Sequence, residues 1–302
     1  MRSRGQKSQW RDWLSASQVS AGLNWASFMF GCSLAAIASA ASAQTLTPSS
    51  DGQTVAAETN ATPSVDELVK LKQNPVSGLR QIELQVTVNP DLHNSGKTSS
   101  NFSIQPVWPI ALNEDWRLIT YTILPVIQQP GAPGESSVAG LSDTLINLFV
   151  SPQKAGAVVW GAGPSILLPT RTNPALGSNR VALGPALVLF YPQDKWSAGV
   201  VLQNGWSLGG SGRNRVNAAG AQYILNYNLP GGWYLYSNAT ITADWIAKER
   251  DRWTVPVGGG AGRVFTIGKQ SVSISLQALA YPVAPQNGPR WSVIGQFAFL
   301  FP

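Results

Sequence analysis

The chain has 302 residues and a formal net charge of +6; 12% of its residues are charged and 44% are apolar. Its 29 glycines and 21 prolines exclude a coiled coil or a helical bundle, and its low charge excludes an acidic disordered chain. Beyond the first dozen residues, 17 basic against 14 acidic residues leave a net charge of only +3, which argues against a nucleic-acid partner.

Residues 1–43 are predicted to be a secretory signal peptide. A basic segment precedes an uncharged apolar segment around 28–38, and Ala41-Ser42-Ala43 is the small-x-small pattern after which signal peptidase cleaves. An uncleaved anchor, or acylation at Cys32, is the alternative. Cys32 is the only cysteine of the chain, so the mature protein would carry no thiol and no disulfide.

Residues 44–63 are predicted to be a disordered tether, and a short helix follows within 64–79. Ser64 and Glu67 have the spacing of a capping box, and Pro75 ends the helical pattern. The apolar residues at helical spacing are Val65, Leu68, Val69 and Leu71. This helix is predicted to lie at the periplasmic edge of the next domain or to act as a plug in a pore.

From residue 80 to the C-terminus, apolar and polar residues alternate in short segments that turn residues separate, most clearly over 233–245. Long connections follow odd-numbered strands, and tight turns follow even-numbered ones. This layout predicts an all-β transmembrane antiparallel barrel of about 12 strands over 80–302, in the cell outer membrane, with both termini on the periplasmic side. The strands are centred on 80–89, 101–110, 116–127, 142–151, 157–168, 180–191, 196–208, 217–229, 232–246, 252–264, 270–281 and 290–301.

Tryptophan positions favour a membrane barrel over a soluble sandwich. Trp233 and Trp245 lie at the two ends of one apolar strand face. At about 3.3 Å per residue and a tilt near 40°, they are separated by roughly 30 Å along the barrel axis, which fits two aromatic girdles. The predicted girdle residues are Trp116, Trp196, Trp206, Trp233, Trp245, Trp253 and Trp291.

The same alternation predicts the residues that line the lumen, which are mostly amides and phenols with few, mixed charges. Such a wall offers hydrogen bonds and aromatic contact to a neutral solute. The alternative is that these side chains simply fill a closed interior. The predicted lumen residues are Glu83, Gln85, Gln105, Arg117, Tyr121, Gln203, Gln222, Asn226, Asn228, Tyr234, Tyr236, Asn238, Asp244 and Gln277.

Local bulges are expected at the prolines within strands, which are Pro106, Pro125, Pro164, Pro185 and Pro256.

Several segments resemble the Gram-negative outer-membrane family named for a putative protein of the meta-pathway of phenol degradation. They are IQPV at 104–107, LNEDWRLI at 112–119, LPVI at 124–127, WGAGP at 160–164, NYNLPGGWY at 226–234, WTVPVGGG at 253–260 and QFAFLFP at 296–302. The resemblance covers about residue 68 to the C-terminus and implies a transporter-like barrel for aromatic or other small organic molecules. The final Pro302 departs from the aromatic ending common in such barrels.

An outer-membrane enzyme acting on lipids is the main alternative. His93, the only histidine, lies beside Asp91 and Ser95, and these are the right residue types for a base and a nucleophile. Such close neighbours in one loop rarely form a triad.

The glycine-rich segment 258–262 carries no Gly-Lys-Ser/Thr, and no metal-ligand spacing is found, so no metal and no cofactor are predicted.

The predicted function is therefore a passive channel or uptake protein for small, mainly uncharged organic solutes, without enzymatic activity. A third hypothesis is a closed structural barrel that recognises lipopolysaccharide through basic loop residues. These are Arg171, Arg213, Arg215, Lys248 and Arg250. The expected partners are outer-membrane lipid and lipopolysaccharide, the barrel-assembly machinery and a small-molecule solute.

Overall fold

The computed structural model describes residues 63–131, 134–154, 156–208 and 215–302. The predicted signal peptide and nearly all of the predicted tether lie outside the described residues. The described residues form one α-helix, thirteen strands and a single 3-10 turn at Glu249–Asp251. The helix and strands are α1 (Val65–Gln73), β1 (Arg80–Leu92), β2 (Ser99–Ala111), β3 (Trp116–Gln129), β4 (Val138–Leu141), β5 (Thr144–Pro152), β6 (Val159–Leu168), β7 (Ala182–Pro192), β8 (Trp196–Ser207), β9 (Asn217–Asn228), β10 (Trp233–Asp244), β11 (Trp253–Ile267), β12 (Gln270–Val283) and β13 (Pro289–Phe301).

The strands form one antiparallel sheet that closes on itself, because β1 pairs with β13 as well as with β2. Both β4 and β5 pair with β3, and only Ser142 and Asp143 separate them. The backbone N–H of Ser142 donates to the carbonyl of Pro125 at 2.9 Å, which continues the ladder across this break. β4 and β5 are therefore two halves of one barrel strand, and the predicted twelve-stranded barrel is confirmed.

Strand geometry sorts the side chains between the lumen and the outside, since successive residues point to opposite faces. On β12, Ser273, Ser275 and Gln277 are buried, whereas Ile274 and Leu276 are 53% and 61% exposed. On this strand the alternation gives a polar inner face and an apolar outer face.

The connections are shared between two rims of the barrel. The turn rim carries 112–115, 153–158, 193–195, 229–232 and 268–269, and the start of β1 and the end of β13 lie there too. The loop rim carries 93–98, 130–137, 169–181, 208–216, 245–252 and 284–288. The longest connections lie on the loop rim, although 93–98 is shorter than predicted because β1 and β2 both extend further toward it.

Prolines within strands interrupt the ladder but mostly keep its register. The residue pairs on either side of Pro106, Pro164 and Pro185 stay in the same register, and Pro125 pairs in line with its neighbours. Of the five predicted sites, a register shift occurs only at Pro256. The expectation of a bulge at each proline was therefore wrong for the other four, because a proline at a non-bonded ladder position removes no hydrogen bond from that partner.

β10 and β11 pair at both ends but not in between. The flanking pairs Tyr236↔Gly260 and Thr242↔Thr254 share one register, so the strands separate over 237–241 without slipping. At this opening, Asn238 and Ala239 both line the lumen cavity. The alternation had placed Ala239 on the outer face, and it fails here, where β10 keeps its pairing with β9 but has none with β11.

α1 begins at the capping box that the sequence indicates. The Glu67 N–H donates to Ser64 Oγ at 3.3 Å, and Glu67 Oε2 accepts the Ser64 N–H at 2.7 Å. Among the described residues, no helix is long and apolar enough to cross a membrane.

Candidate functional site in the barrel lumen

The outer wall carries exposed apolar side chains on every strand from β2 to β13. Leu202, Leu235 and Ile274 are examples, at 40%, 49% and 53% exposure. A soluble protein rarely exposes apolar surface continuously in this way, because contact with water is unfavourable. This wall fits a hydrocarbon surrounding.

The tryptophans of the described residues lie on this wall in two belts. All seven predicted girdle residues are exposed, and so are Trp108 and Trp160, which the sequence analysis missed. Trp116 and Trp160 meet near the turn rim at 5.9 Å between ring centroids, and Trp245 and Trp253 meet near the loop rim at 5.6 Å. The turn-rim belt consists of Trp108, Trp116, Trp160, Trp196 and Trp233; the loop-rim belt consists of Trp206, Trp245, Trp253 and Trp291.

Inside the barrel lies a cavity of about 290 Å³. All but three of the predicted lumen residues line it. Arg117 and Asn228 lie at the turn rim instead, where Arg117 Nη2 donates to the carbonyl of Gln153 at 2.5 Å and Asn228 Nδ2 donates to that of Asp194 at 3.3 Å. Asp244 lies at the loop rim, where it accepts the Ile246 N–H at 2.9 Å.

Sequence reasoning also missed part of the cavity lining. The alternation of β1 and β2 could have identified several polar residues, since they occupy the same faces as Glu83 and Gln105. Apolar lining residues such as Phe149 are harder to identify, because they resemble outward-facing residues, whereas the alternation of β12 does place Leu279 on the same face as Gln277. The missed lining residues include Gln81, Thr87, Asn101, Ser103, Asn147, Phe149, Leu279, Tyr281 and Gln296.

The floor of the cavity is formed by α1 and the segment 74–79. Leu68 and Val69 are almost fully buried against inward-facing residues of β10, β11 and β13. Val76, after the helix, packs in a second cluster that includes Ile119 and Phe149 on the opposite side of the lumen. The chain thus crosses the lumen near the turn rim before it enters β1, and Lys72, Gln73 and Pro75 face the cavity.

Polar contacts hold α1 to the turn rim. The Gly232 N–H donates to Asp66 Oδ1 at 3.1 Å, and Lys70 Nζ lies 2.9 Å from Asp194 Oδ1. Gly232 has a φ of +78°, and a Cβ at this position would clash with the carbonyl of Val264 and with Val65 on α1. This turn therefore requires glycine so that the helix can approach.

Further contacts reach from α1 into the barrel. Gln73 Nε2 donates to Asn228 Oδ1 at 2.8 Å, and Gln73 Oε1 accepts the Ser197 hydroxyl at 3.2 Å. Lys72 Nζ lies 3.4 Å from Glu83 Oε2 on β1, and both side chains are only 12% exposed. The floor is therefore held by a few specific polar bonds around an apolar contact.

Two carboxylates outside the strands respond to these contacts. The pKa of Glu67 is lowered because its carboxylate accepts hydrogen bonds from the backbone and then the hydroxyl of Ser64. The pKa of Asp194 is lowered by the hydrogen bond and the charge of Lys70. Both carboxylates are solvent-exposed.

Hydrogen bonds join some of the polar side chains of the lumen wall, and some buried amide oxygens of the wall have no hydrogen-bond partner among the described residues. The Tyr121 hydroxyl donates to Gln105 Oε1 at 2.6 Å, and Gln105 Nε2 donates to Ser103 Oγ at 2.8 Å. Several other amide oxygens of cavity-lining residues accept no hydrogen bond from the described residues. They belong to Gln81, Asn101, Asn147 and Gln203.

Asp91, His93 and Ser95, the residues of the hypothetical enzymatic site, each contact a different partner. Asp91 Oδ2 lies 3.6 Å from Arg290 Nε, and Ser95 Oγ accepts the backbone N–H of Lys97 at 3.3 Å. The backbone N–H of His93 donates to the carbonyl of Gly288 at 2.8 Å. The described geometry therefore does not assemble Asp91, His93 and Ser95 into a triad.

Comparison with known proteins supports the fold. No protein-family model and no curated protein matches the sequence, so the family named above stays a prediction. Among solved structures, the COG4313 outer membrane channel from Pseudomonas putida F1 matches at 18% identity with a TM-score of 0.57, over 74% of this chain and 94% of that chain.

Two further likenesses are weaker. Outer membrane phospholipase A from Escherichia coli matches at 14% identity and a TM-score of 0.42, over 74% of this chain and 90% of that one. A mutant of the TodX monoaromatic hydrocarbon channel matches at 12% identity and a TM-score of 0.34, over 75% and 91%. Scores this low do not distinguish a channel from an enzyme. The closed sheet and the match to the COG4313 outer membrane channel show that the chain has the fold of an outer-membrane β-barrel.

Proposed function

We propose that this protein is a passive outer-membrane channel for small, mainly uncharged organic solutes, including aromatic ones, and that α1 with the segment 74–79 gates it. The observation that carries the proposal is a cavity lined by amides and phenols inside a closed barrel whose outer wall is apolar. The similarity to a solved outer membrane channel is consistent with this function.

The outer wall supports a membrane location. A closed antiparallel sheet pairs its backbone groups within the protein, which hydrocarbon requires. The two tryptophan belts would lie at the two membrane–water interfaces, where amphipathic rings are favoured. The short opening between β10 and β11 is compatible with this location, because the side chain of Gln277 bonds the backbone of Asn238 there.

The cavity wall supports the solute class. Tyr121, Tyr234 and Tyr281 contribute aromatic side chains to the lining, and the amide side chains of the cavity wall contribute polar groups. Apolar side chains such as Phe149 and Leu279 add contact for a hydrocarbon or aromatic ring. A small organic molecule with one or two hydroxyl groups fits this combination.

The floor supports gating. α1 lies across the turn-rim end of the cavity and is joined to the barrel by a single chain segment that leads into β1. The ion pair between Lys70 of α1 and Asp194 is solvent-exposed, and such exposed pairs contribute little stability. Movement of α1 away from the lumen would open the cavity toward the turn rim.

Liposome swelling with purified protein tests the proposal, using a neutral pentose and an aryl pentoside. Lys70→Cys with Asp194→Cys replaces this ion pair by two thiols, which a short bis-maleimide with a disulfide spacer can join. We expect flux through the wild type, reduced flux after joining and recovery after reduction of the spacer. Lys70→Cys alone, treated identically, is the matched control. Absence of flux and conductance in every protein would defeat the transport function and leave the fold unaffected.

A further inference from the structure

Lys72 and Glu83 are the only formally charged residues among the described residues that line the cavity. Lys72 Nζ and Glu83 Oε2 are 3.4 Å apart, and both side chains are largely buried. With α1 in place, their charges cancel and the lumen is electrically near neutral.

The two charges belong to different parts of the molecule. Glu83 lies on β1, and its Oε1 accepts Gln296 Nε2 on β13 at 2.8 Å, so the barrel wall holds the carboxylate without help from α1. Lys72 lies on α1, where its ammonium is 5.9 Å from the ring centroid of Tyr234. If α1 leaves the lumen, Lys72 leaves with it and Glu83 stays.

We infer that Glu83 determines the charge selectivity of the open pore and that α1 controls this selectivity by inserting or withdrawing Lys72. The inference rests on the proposed function, since it requires a pore that opens. A single charge acting over about 5 Å in water-like dielectric enriches a monovalent cation about fourfold and depletes an anion about equally.

The other charges near the lumen do not substitute for Glu83. Arg117 lies at the turn rim and Asp244 at the loop rim, so they have opposite signs at opposite ends, and neither lines the cavity. Both stay on the barrel when α1 moves. The open pore therefore prefers cations because of one carboxylate inside it.

Planar-bilayer recordings of the whole mature protein in a KCl gradient test the inference by reversal potential. The proteins are the wild type, Lys72→Gln, Glu83→Gln and the double variant. Either single substitution breaks the ion pair, so both should raise the open probability to a similar extent. Only loss of Glu83 should change the selectivity of the open state.

We expect a K⁺ over Cl⁻ permeability ratio severalfold above one for the wild type and for Lys72→Gln, and a ratio near one for Glu83→Gln and the double variant. With α1 joined to the barrel through Lys70→Cys and Asp194→Cys, the residual current should lose its cation preference, because Lys72 remains beside Glu83. Lys70→Gln, on the exposed side of the same helix, is the matched control and should leave the reversal potential unchanged.

Equal reversal potentials in the wild type and Glu83→Gln would overturn the role of Glu83. An opposite shift of similar size in Lys72→Gln would show that Lys72 remains in the open pore, and would overturn control by α1. Absence of current in every protein would instead refute the proposed channel, and this inference with it.

Discussion

The side chain of Gln277 on β12 is hydrogen-bonded to both backbone polar groups of Asn238 on β10. The Asn238 N–H donates to Gln277 Oε1 at 3.2 Å, and Gln277 Nε2 donates to the Asn238 carbonyl at 2.8 Å. In a regular sheet these two groups would pair with β11, which lies between β10 and β12. Gln277 therefore takes the place of a ladder partner where the wall of the barrel is open.

We expect Gln277→Leu to destabilise the barrel, because it leaves the Asn238 N–H and carbonyl without partners. The free energy of unfolding should fall by about 2–6 kcal/mol, since each of the two buried unsatisfied backbone groups costs about 1–3 kcal/mol. Tryptophan fluorescence during guanidinium unfolding from lipid vesicles measures this change.

Gln222→Leu is the matched control for that experiment. Gln222 lines the same cavity but donates to the side chain of Asn238 rather than to its backbone. Its loss should cost about 1 kcal/mol or less. Equal effects of the two substitutions would contradict the special role of Gln277.

The apolar face of α1 is expected to hold the floor closed. Leu68 is 1% exposed, and Leu68→Ala removes buried contacts worth about 2–5 kcal/mol in a packed core. In the proposed channel this loss favours withdrawal of α1, so the ratio of open to closed channels in planar bilayers should rise by more than about tenfold, since about 1.4 kcal/mol corresponds to a factor of ten. Leu112→Ala removes the same atoms from a side chain that is 52% exposed in a turn, and should change nothing. An unchanged open probability in Leu68→Ala would argue that α1 does not gate.

The opening of the channel should depend on pH below about 5. The pKa values of Glu67 and Asp194 are both lowered in the docked structure from ordinary values of 4.5 and 3.8. The Asp194 carboxylate therefore stabilises the docked helix above its ordinary pKa, because Lys70 on α1 lowers its pKa, and this stabilisation is lost as the pH falls through the lowered pKa. The pKa of Glu67 is lowered by Ser64 within the same capping box, so Glu67 stabilises the start of α1 rather than its docking.

Conductance measured from pH 7 to pH 3 checks this dependence. Opening should be constant down to about pH 5 and should increase below about pH 4. Asp194→Asn should open more readily at neutral pH and respond less to acid, because it removes the carboxylate that pairs with Lys70 on α1. Increased closure at low pH would have the wrong sign for this account.

The sequence predicts the barrel well because its strongest signals are local. Two-residue alternation identified the twelve strands. The spacing of Trp233 and Trp245 placed these two side chains on the outer wall near opposite rims. The capping box at Ser64 identified the start of α1. Each of these features is decided by residues close together in the chain.

Features that depend on distant partners could not be predicted. The burial of α1 depends on residues such as Tyr234, Val264 and Leu300, which follow it by more than 150 positions. The opening at Ala239 depends on Pro256 in the next strand and on Gln277 beyond it. Alternation alone treats every residue as part of a regular ladder, so it fails where the ladder separates.

The central claim is that the outer face of the barrel lies in lipid while the inner face lines an aqueous path. A nitroxide scan of β12 over 272–280 in vesicles tests both statements, with single cysteines introduced into the mature chain. We predict high collision rates with oxygen at Ile274, Leu276, Ala278 and Ala280, and lower rates with preferential access of a water-soluble nickel reagent at Gln277 and Leu279, which line the cavity. A uniform profile, or access of the nickel reagent to the outward residues, would contradict the account.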